Sequence, residues 1–168
     1  MTISMYQASV PVLLQGLKAL SGILTKAEAN AAERKIDPQT FLSARLAPDM
    51  LTLTRQVQIA TDHAKGAPSR LSGQVAPKFE DNEASFEALQ ARIARTVAHL
   101  KSFAAADLDG SQDRTIELKS GGRELSFTGQ QYLQHFALPN FYFHCTTAYA
   151  ILRHNGVPLG KLDFMGAN

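Results

Sequence analysis

Asn140 and His144 stand four residues apart in LPNFYFHCTTAYAILRHNGV, residues 138–157. On a helix that spacing puts an amide and an imidazole on one face, a turn apart. An imidazole offers a base, a proton donor or a metal ligand near neutral pH. The amide offers two donors and an acceptor. Their neighbours are aromatic and apolar, and polar groups on such a stripe are costly unless they line a pocket or satisfy one another. Tyr149 and His154 follow in the same stretch, and Asp49, Gln56 and His63 recur every seven residues on another. Gln56 is the member expected nearest His144. Two readings compete. In one, Gln56, Asn140, His144 and Tyr149 line a cavity and orient a ligand. In the other, His144 is a core histidine satisfied by Asn140 and by another helix, and Asp49 and His63 flank an amphipathic helix.

The remaining reactive residues form no obvious constellation. Asp62 and His63 could supply a carboxylate and an imidazole, but adjacent residues point about 100° apart on a helix. Cys145 adjoins His144 and so does not face it, which argues against a Cys–His nucleophile. His135 and His154 do not repeat the face of His144, and His154 sits beside Asn155-Gly156, where a histidine meets the last carbonyls. His99 falls at the edge of an apolar face, partly exposed. Gly121-Gly122 belongs to a turn, so no phosphate-binding loop is present.

The elements that must position these residues are read from periodicity. Tyr6, Val10, Leu13, Leu17, Leu20 and Leu24 mark a first amphipathic helix over about 4–25, with Pro11 delaying its start or kinking it. Residues 26–47 are expected to connect it to the second, with Asp37-Pro38 capping a local helix. Pro48 opens the second helix, about 48–66, and Gly66 and Pro68 end it. A loop over 66–81 follows. The third helix runs from after Asp81-Asn82 to about 105, burying Phe86, Leu89, Ile93, Val97 and Leu100, with Arg92, Arg95 and Lys101 on or near its wet side. Residues 115–119 and 124–127 alternate apolar and polar about Gly121-Gly122, a β-hairpin pattern. Thr128 caps the fourth helix, about 129–154, which Pro139 should kink. Its aromatic residues lie nearly all round it, so it is central or meets a second subunit.

The chain of 168 residues, 45% apolar and 19% charged, suits one folded domain spanning 1–168. A net charge of +2, with basic residues dispersed, leaves no footprint for nucleic acid. The single cysteine excludes an internal disulfide and suits a reducing compartment. The N-terminal stretch lacks a basic leader and is interrupted by Gln7, Ser9, Gln15 and Lys18. It reads as too short and polar for a signal peptide or membrane span. A cytoplasmic protein without membrane association is expected.

The segments LPNFYFHCTTAYAILRHNGVPLGKLDF and LAPDMLTLTRQVQIATDHAKG resemble those of a bacterial family of unknown function in the DinB/YfiT-like superfamily. The resemblance spans nearly the whole chain. It implies an up-down-down-up four-helix bundle, often dimeric. Many superfamily members bind a divalent metal through three histidines, one from helix two and two from an HxxxH on helix four. Some act as thiol-dependent transferases or hydrolases. This chain has Asn140-Phe-Tyr-Phe-His144 in place of HxxxH, and Gln56 where the helix-two histidine is expected. Amides are poor ligands for zinc or nickel. The resemblance therefore carries the fold over, and not the metal.

The expected fold is all-α: a four-helix bundle of the DinB/YfiT-like type with a small β-hairpin before the last helix. The expected function is binding or sensing of a small molecule at Gln56, Asn140, His144 and Tyr149, with no cofactor. One alternative is a divalent-metal enzyme, thiol-linked transferase or hydrolase, with a degenerate zinc or nickel site at His144. The other is a homodimeric interaction protein whose polar core residues only fix packing.

Overall fold

Ser4 and Gln7 exchange side-chain and backbone hydrogen bonds, a capping box that starts helix α1 (Met5–Glu33). In the computed structural model, which describes residues 3–167, this helix continues unbroken through Pro11 and past residue 25. The expected connection over 26–33 is helical because it is KAEANAAE, rich in strong helix formers. Ala27, Asn30 and Ala31 extend the buried stripe there with small side chains. By length and composition α1 could cross a membrane, contrary to the expectation from its polar interruptions. Val10, Leu13, Leu17, Leu20, Ile23 and Leu24 are instead sealed inside the fold.

Asp37 caps α2 (Pro38–Leu42), accepting from Gln39 N–H at 2.9 Å, with Pro38 at the first helical position as expected. Pro48 does not open the next helix. It lies in a turn, and Thr52 caps α3 (Leu53–Ser72). Nor do Gly66 and Pro68 end it. Both are buried within α3, and the helix stops at Gly73, whose φ of 79° is left-handed. Gln74 N–H bonds back to Ser69 C=O at 2.8 Å and closes that end.

Ser85 caps α4 (Phe86–Lys101), accepting from Ala88 N–H at 3.1 Å. A short α5 (Ala105–Leu108) and a 3-10 turn lead into the hairpin, β1 (Thr115–Ser120) and β2 (Arg123–Thr128). Their antiparallel register runs from Thr115 opposite Thr128 to Ser120 opposite Arg123. Gly121 and Gly122, at φ 57° and 76°, make the two-residue turn, as the glycine pair implied.

Thr128 caps the last long segment: α6 (Gly129–Tyr132), a π-helical turn over Leu133–Ala137, and α7 (Leu138–His154). Pro139 stands just after this irregularity. The wider π turn inserts a residue just ahead of it, and the proline falls in the first turn of α7, where its missing N–H is tolerated. A final α8 (Lys161–Met165) folds back on α1, with Gln15 Nε2 donating to Met165 C=O at 2.9 Å. The four long helices, α1, α3, α4 and α7, share one apolar core. α3 packs most extensively against α7, and that seam positions the polar residues below.

Candidate functional site

The carbonyl of Leu51 lies just ahead of α3 and accepts from Gln56 Nε2 at 3.2 Å. A carbonyl can only accept, so this bond fixes which way the Gln56 amide points. Its Oε1 then faces α7 and lies 2.7 Å from Nδ1 of His144. An amide oxygen can only accept, so His144 carries its proton on Nδ1 and Nε2 is left as the basic nitrogen. Gln56 is only 2% exposed, which shields the bond from water. Burial also holds the His144 pKa below its ordinary value.

His63 stands two turns along α3 from Gln56. Its ring stacks on that of His144, with centroids 6.0 Å apart and planes 14° from parallel. Its other neighbour is Phe136 of the π turn, edge-on at 5.7 Å. Burial, then the positive charge of a protonated His144 and of Arg70, push its pKa down to about 4, against an opposing pull from Asp62. Neither nitrogen of His63, nor Nε2 of His144, has a hydrogen-bond partner among the described residues. Ser111 Oγ is the one fully buried side-chain polar atom left unpartnered there, so these imidazole nitrogens retain contact with solvent.

His63 also opens onto a cavity of about 140 Å³. Asp62, His63 and Arg70 of α3 form one wall, Phe136 a second, and Leu118–Ser120 of the hairpin a third. The hairpin thus gains a role: it roofs a hollow beside the α3–α7 seam. Larger hollows, 360 Å³ over the hairpin and 510 Å³ beside the start of α1, have no histidine in their walls.

Of the residues expected at the site, Gln56 and His144 meet as anticipated. Asn140 does not reach His144. Its Nδ2 donates to Phe136 C=O at 2.7 Å, occupying the amide in the π turn. Tyr149 packs edge-on against Phe164 of α8, at 6.0 Å, apart from the imidazole pair. Asp49 is exposed ahead of α3, and His135 and His154 are exposed. His99 is partly exposed as expected, with Nε2 2.9 Å from Ser69 Oγ and its ring edge-on to Phe103. Cys145 faces Gly16 and Leu20 of α1 and is buried, which pushes its thiol up to about 12. It is a packed hydrophobe and not a partner of His144.

The seven-residue spacing from Gln56 was the available signal for His63, since two turns return to nearly the same face. Arg92, expected on or near the wet side of α4, is fully buried. Leu89, Arg92, Ile93 and Thr96 follow the i, i+3, i+4, i+7 pattern of a buried face, and that pattern outranked the charge. The guanidinium is fully occupied: Nε donates to Thr61 Oγ1 at 2.7 Å, Nη2 to Asp62 at 2.8 Å, and Nη1 to Glu83 at 3.2 Å and Glu80 C=O at 3.1 Å. Asp81 lies 3.0 Å away. The network ties the loop before α4 to α3 and holds Asp62 at the cavity wall.

These donors do not fit the metal set of the superfamily. Among the described residues no group of three His, Cys, Asp or Glu could hold a metal ion. Two imidazoles are present, and the Gln56 oxygen and Asn140 nitrogen are already engaged. A tetrahedral site needs three or four good ligands.

The family described as domain of unknown function (DUF1993) matches residues 5–165. A crystal structure of a DinB family member protein from Shewanella denitrificans is similar across 97% of this chain and 92% of that one, at 43% identity and a TM-score of 0.87. No curated protein matches the chain. A match over nearly the whole length, together with that structural likeness, places the resemblance noted in the sequence on firm ground: the chain belongs to the DUF1993 family, and its fold is similar to that of a DinB family protein.

Proposed function

We propose that the protein is a small-molecule binding or sensing bundle, its four long helices running up-down-down-up. Its ligand reaches the imidazoles of His63 and His144 at the edge of the α3–α7 seam. One observation carries this reading. The relay from Leu51 C=O through Gln56 fixes the His144 tautomer, yet Nε2 of His144 and both nitrogens of His63, the ring that lines the cavity, are left without protein partners among the described residues. These nitrogens keep contact with solvent, so a ligand can reach them. Neutral imidazoles offer both donors and acceptors, which suits a polar ligand. The test is a screen of small polar compounds by thermal shift, on wild type and on His63→Gln and His144→Gln variants. Compounds that raise the melting temperature of the wild type and of neither variant support the proposal. Hits that stabilise all three equally would refute it.

The second reading is a divalent-metal enzyme. It is favoured by the Nδ1–H of His144 being held on an oxygen acceptor, as ligand histidines usually are. It is disfavoured by the donor count. Elemental analysis of untagged protein beside a His144→Ala variant decides it: about one equivalent of zinc, nickel or iron, lost in the variant, would reverse the order of the two readings.

The third reading is a homodimer through α7, where Tyr142 and Phe143 are exposed. Light scattering on wild type and Phe143→Ser tests it. A dimer that the variant dissociates supports it, and a wild-type monomer excludes it.

A further inference from the structure

The cavity beside His63 has a charge pattern that selects among ligands. Arg70 on its wall has no carboxylate partner among the described residues. The side chain folds back along α3 instead. Its Nη1 lies only 2.3 Å from where a Cβ on Gly66 would be, so the missing side chain at 66 is what lets the guanidinium lie there. It ends over the ring of Tyr132, 5.8 Å from the centroid, with Nη1 donating to Tyr132 Oη at 3.2 Å. Tyr132 is fully buried, so this anchor is rigid. A guanidinium has five N–H donors in a fork that matches a carboxylate. One is used here, and the others have no hydrogen-bond partner among the described residues.

The other charged groups on the walls are already engaged. Asp62 accepts from Arg92 Nη2 at 2.8 Å and is paired with Lys65. Lys119 is paired with Glu124 at 3.0 Å, and both are strongly exposed. His63 is neutral at physiological pH. The uncompensated charge on the walls is therefore the single positive charge of Arg70. One free cation beside the carboxylate of Asp62 favours a monoanion over a dianion such as phosphate. Of the remaining lining, Phe136 and Leu118 are apolar and Ser120 is polar, and Phe136 is itself stacked on Tyr132 at 5.9 Å. The hollow of about 140 Å³ is open to solvent and suits a small ligand.

We propose that this cavity is a receptor for a small organic monocarboxylate: the carboxylate pairs with Arg70, and a short apolar body lies on Phe136 and Leu118 with a hydrogen bond to His63. The inference rests on the reading of the His63 cavity as a ligand site and names what that site takes.

The experiment is a calorimetric titration with butanoate and its neutral isostere butanamide, on wild type and Arg70→Gln, with the His63 imidazole followed by NMR. Arg70 is exposed, so the variant should fold; its melting temperature checks this. Expected is millimolar or tighter binding of butanoate, about tenfold weaker binding of butanamide, and loss of about tenfold on Arg70→Gln. Bound butanoate should also raise the His63 pKa, because it offsets the Arg70 charge that helps depress it, and butanamide should not. Equal binding of the two compounds, unaffected by Arg70→Gln, would overturn the carboxylate inference while leaving the pocket reading intact. Inorganic phosphate competing as well as butanoate would likewise overturn it. Binding of neither compound, while other neutral hits in the thermal-shift screen still depend on His63 and His144, would overturn it alone. Absence of any such hit would remove the pocket reading as well.

Discussion

Acidification forces a proton onto His63 against its surroundings, and the cost can be worked from the structure. The ring is largely buried, and His144 and Arg70 add positive potential, so the folded-state pKa falls from 6.5 to about 4. The unfolded chain therefore binds the proton more readily than the folded one across this interval. The stability held by neutral His63 is complete above about pH 6.5 and is lost as pH falls through 6 and 5 to 4. At about 1.4 kcal/mol per pKa unit the full shift corresponds to about 3 kcal/mol. The cavity admits water to the ring, and solvent screening discounts this to about 2 kcal/mol. Urea denaturation of wild type and His63→Gln at pH 7, 6, 5 and 4 isolates the effect, because titration of every other group is common to both. The wild type should lose about 2 kcal/mol more than the variant between pH 7 and 4. Parallel pH profiles would refute the reasoning, since they would mean that His63 keeps an ordinary pKa and is not held neutral beside His144.

Three further outcomes test the surroundings of the site. Arg92→Met removes the partner of Glu83 and Asp62 and should cost about 3–5 kcal/mol in urea denaturation, part of which Glu83→Gln in the same chain should restore. Gly129→Ala places a Cβ 2.0 Å from the backbone oxygen of Ser111, which cannot yield, and should cost at least about 2 kcal/mol, whereas Gly22→Ala meets nothing within 4 Å and should gain up to about 1 kcal/mol. The Cys145 thiol, pushed up to about 12 by burial, should react with iodoacetamide only as fast as the protein unfolds, which mass spectrometry against denaturant concentration can follow.

Much of the architecture was legible because it follows from local rules. The leucine line of α1, the Thr128 cap and the Gly121-Gly122 hairpin each depend on a few neighbouring residues, and each was read at its place. Misplaced boundaries came from signals with two meanings. Gly66 and Pro68 stop an exposed helix, but here they are buried, and Gly66 leaves room for the Arg70 side chain. Pro139 calls for a distortion, but the sequence does not say whether a kink or a π turn supplies it. The Gln56–His144 bond was foreseeable from two helix faces. The redirection of Asn140 to Phe136 was not, because it depends on the path of the π turn. Arg92 shows the limit of reading charge as exposure: its partners come from α3 and from a loop whose fold no periodicity describes.

The most direct test of the central claim is the protonation state of the His144 nitrogens, read from long-range 15N–1H correlations of the imidazole at neutral pH. With the amide of Gln56 anchored on Leu51, Nδ1 should be protonated and Nε2 bare, and Gln56→Leu should abolish this single tautomer. A proton on Nε2 in the wild type would mean that the relay does not exist, and that His144 has no basic nitrogen held open for a ligand.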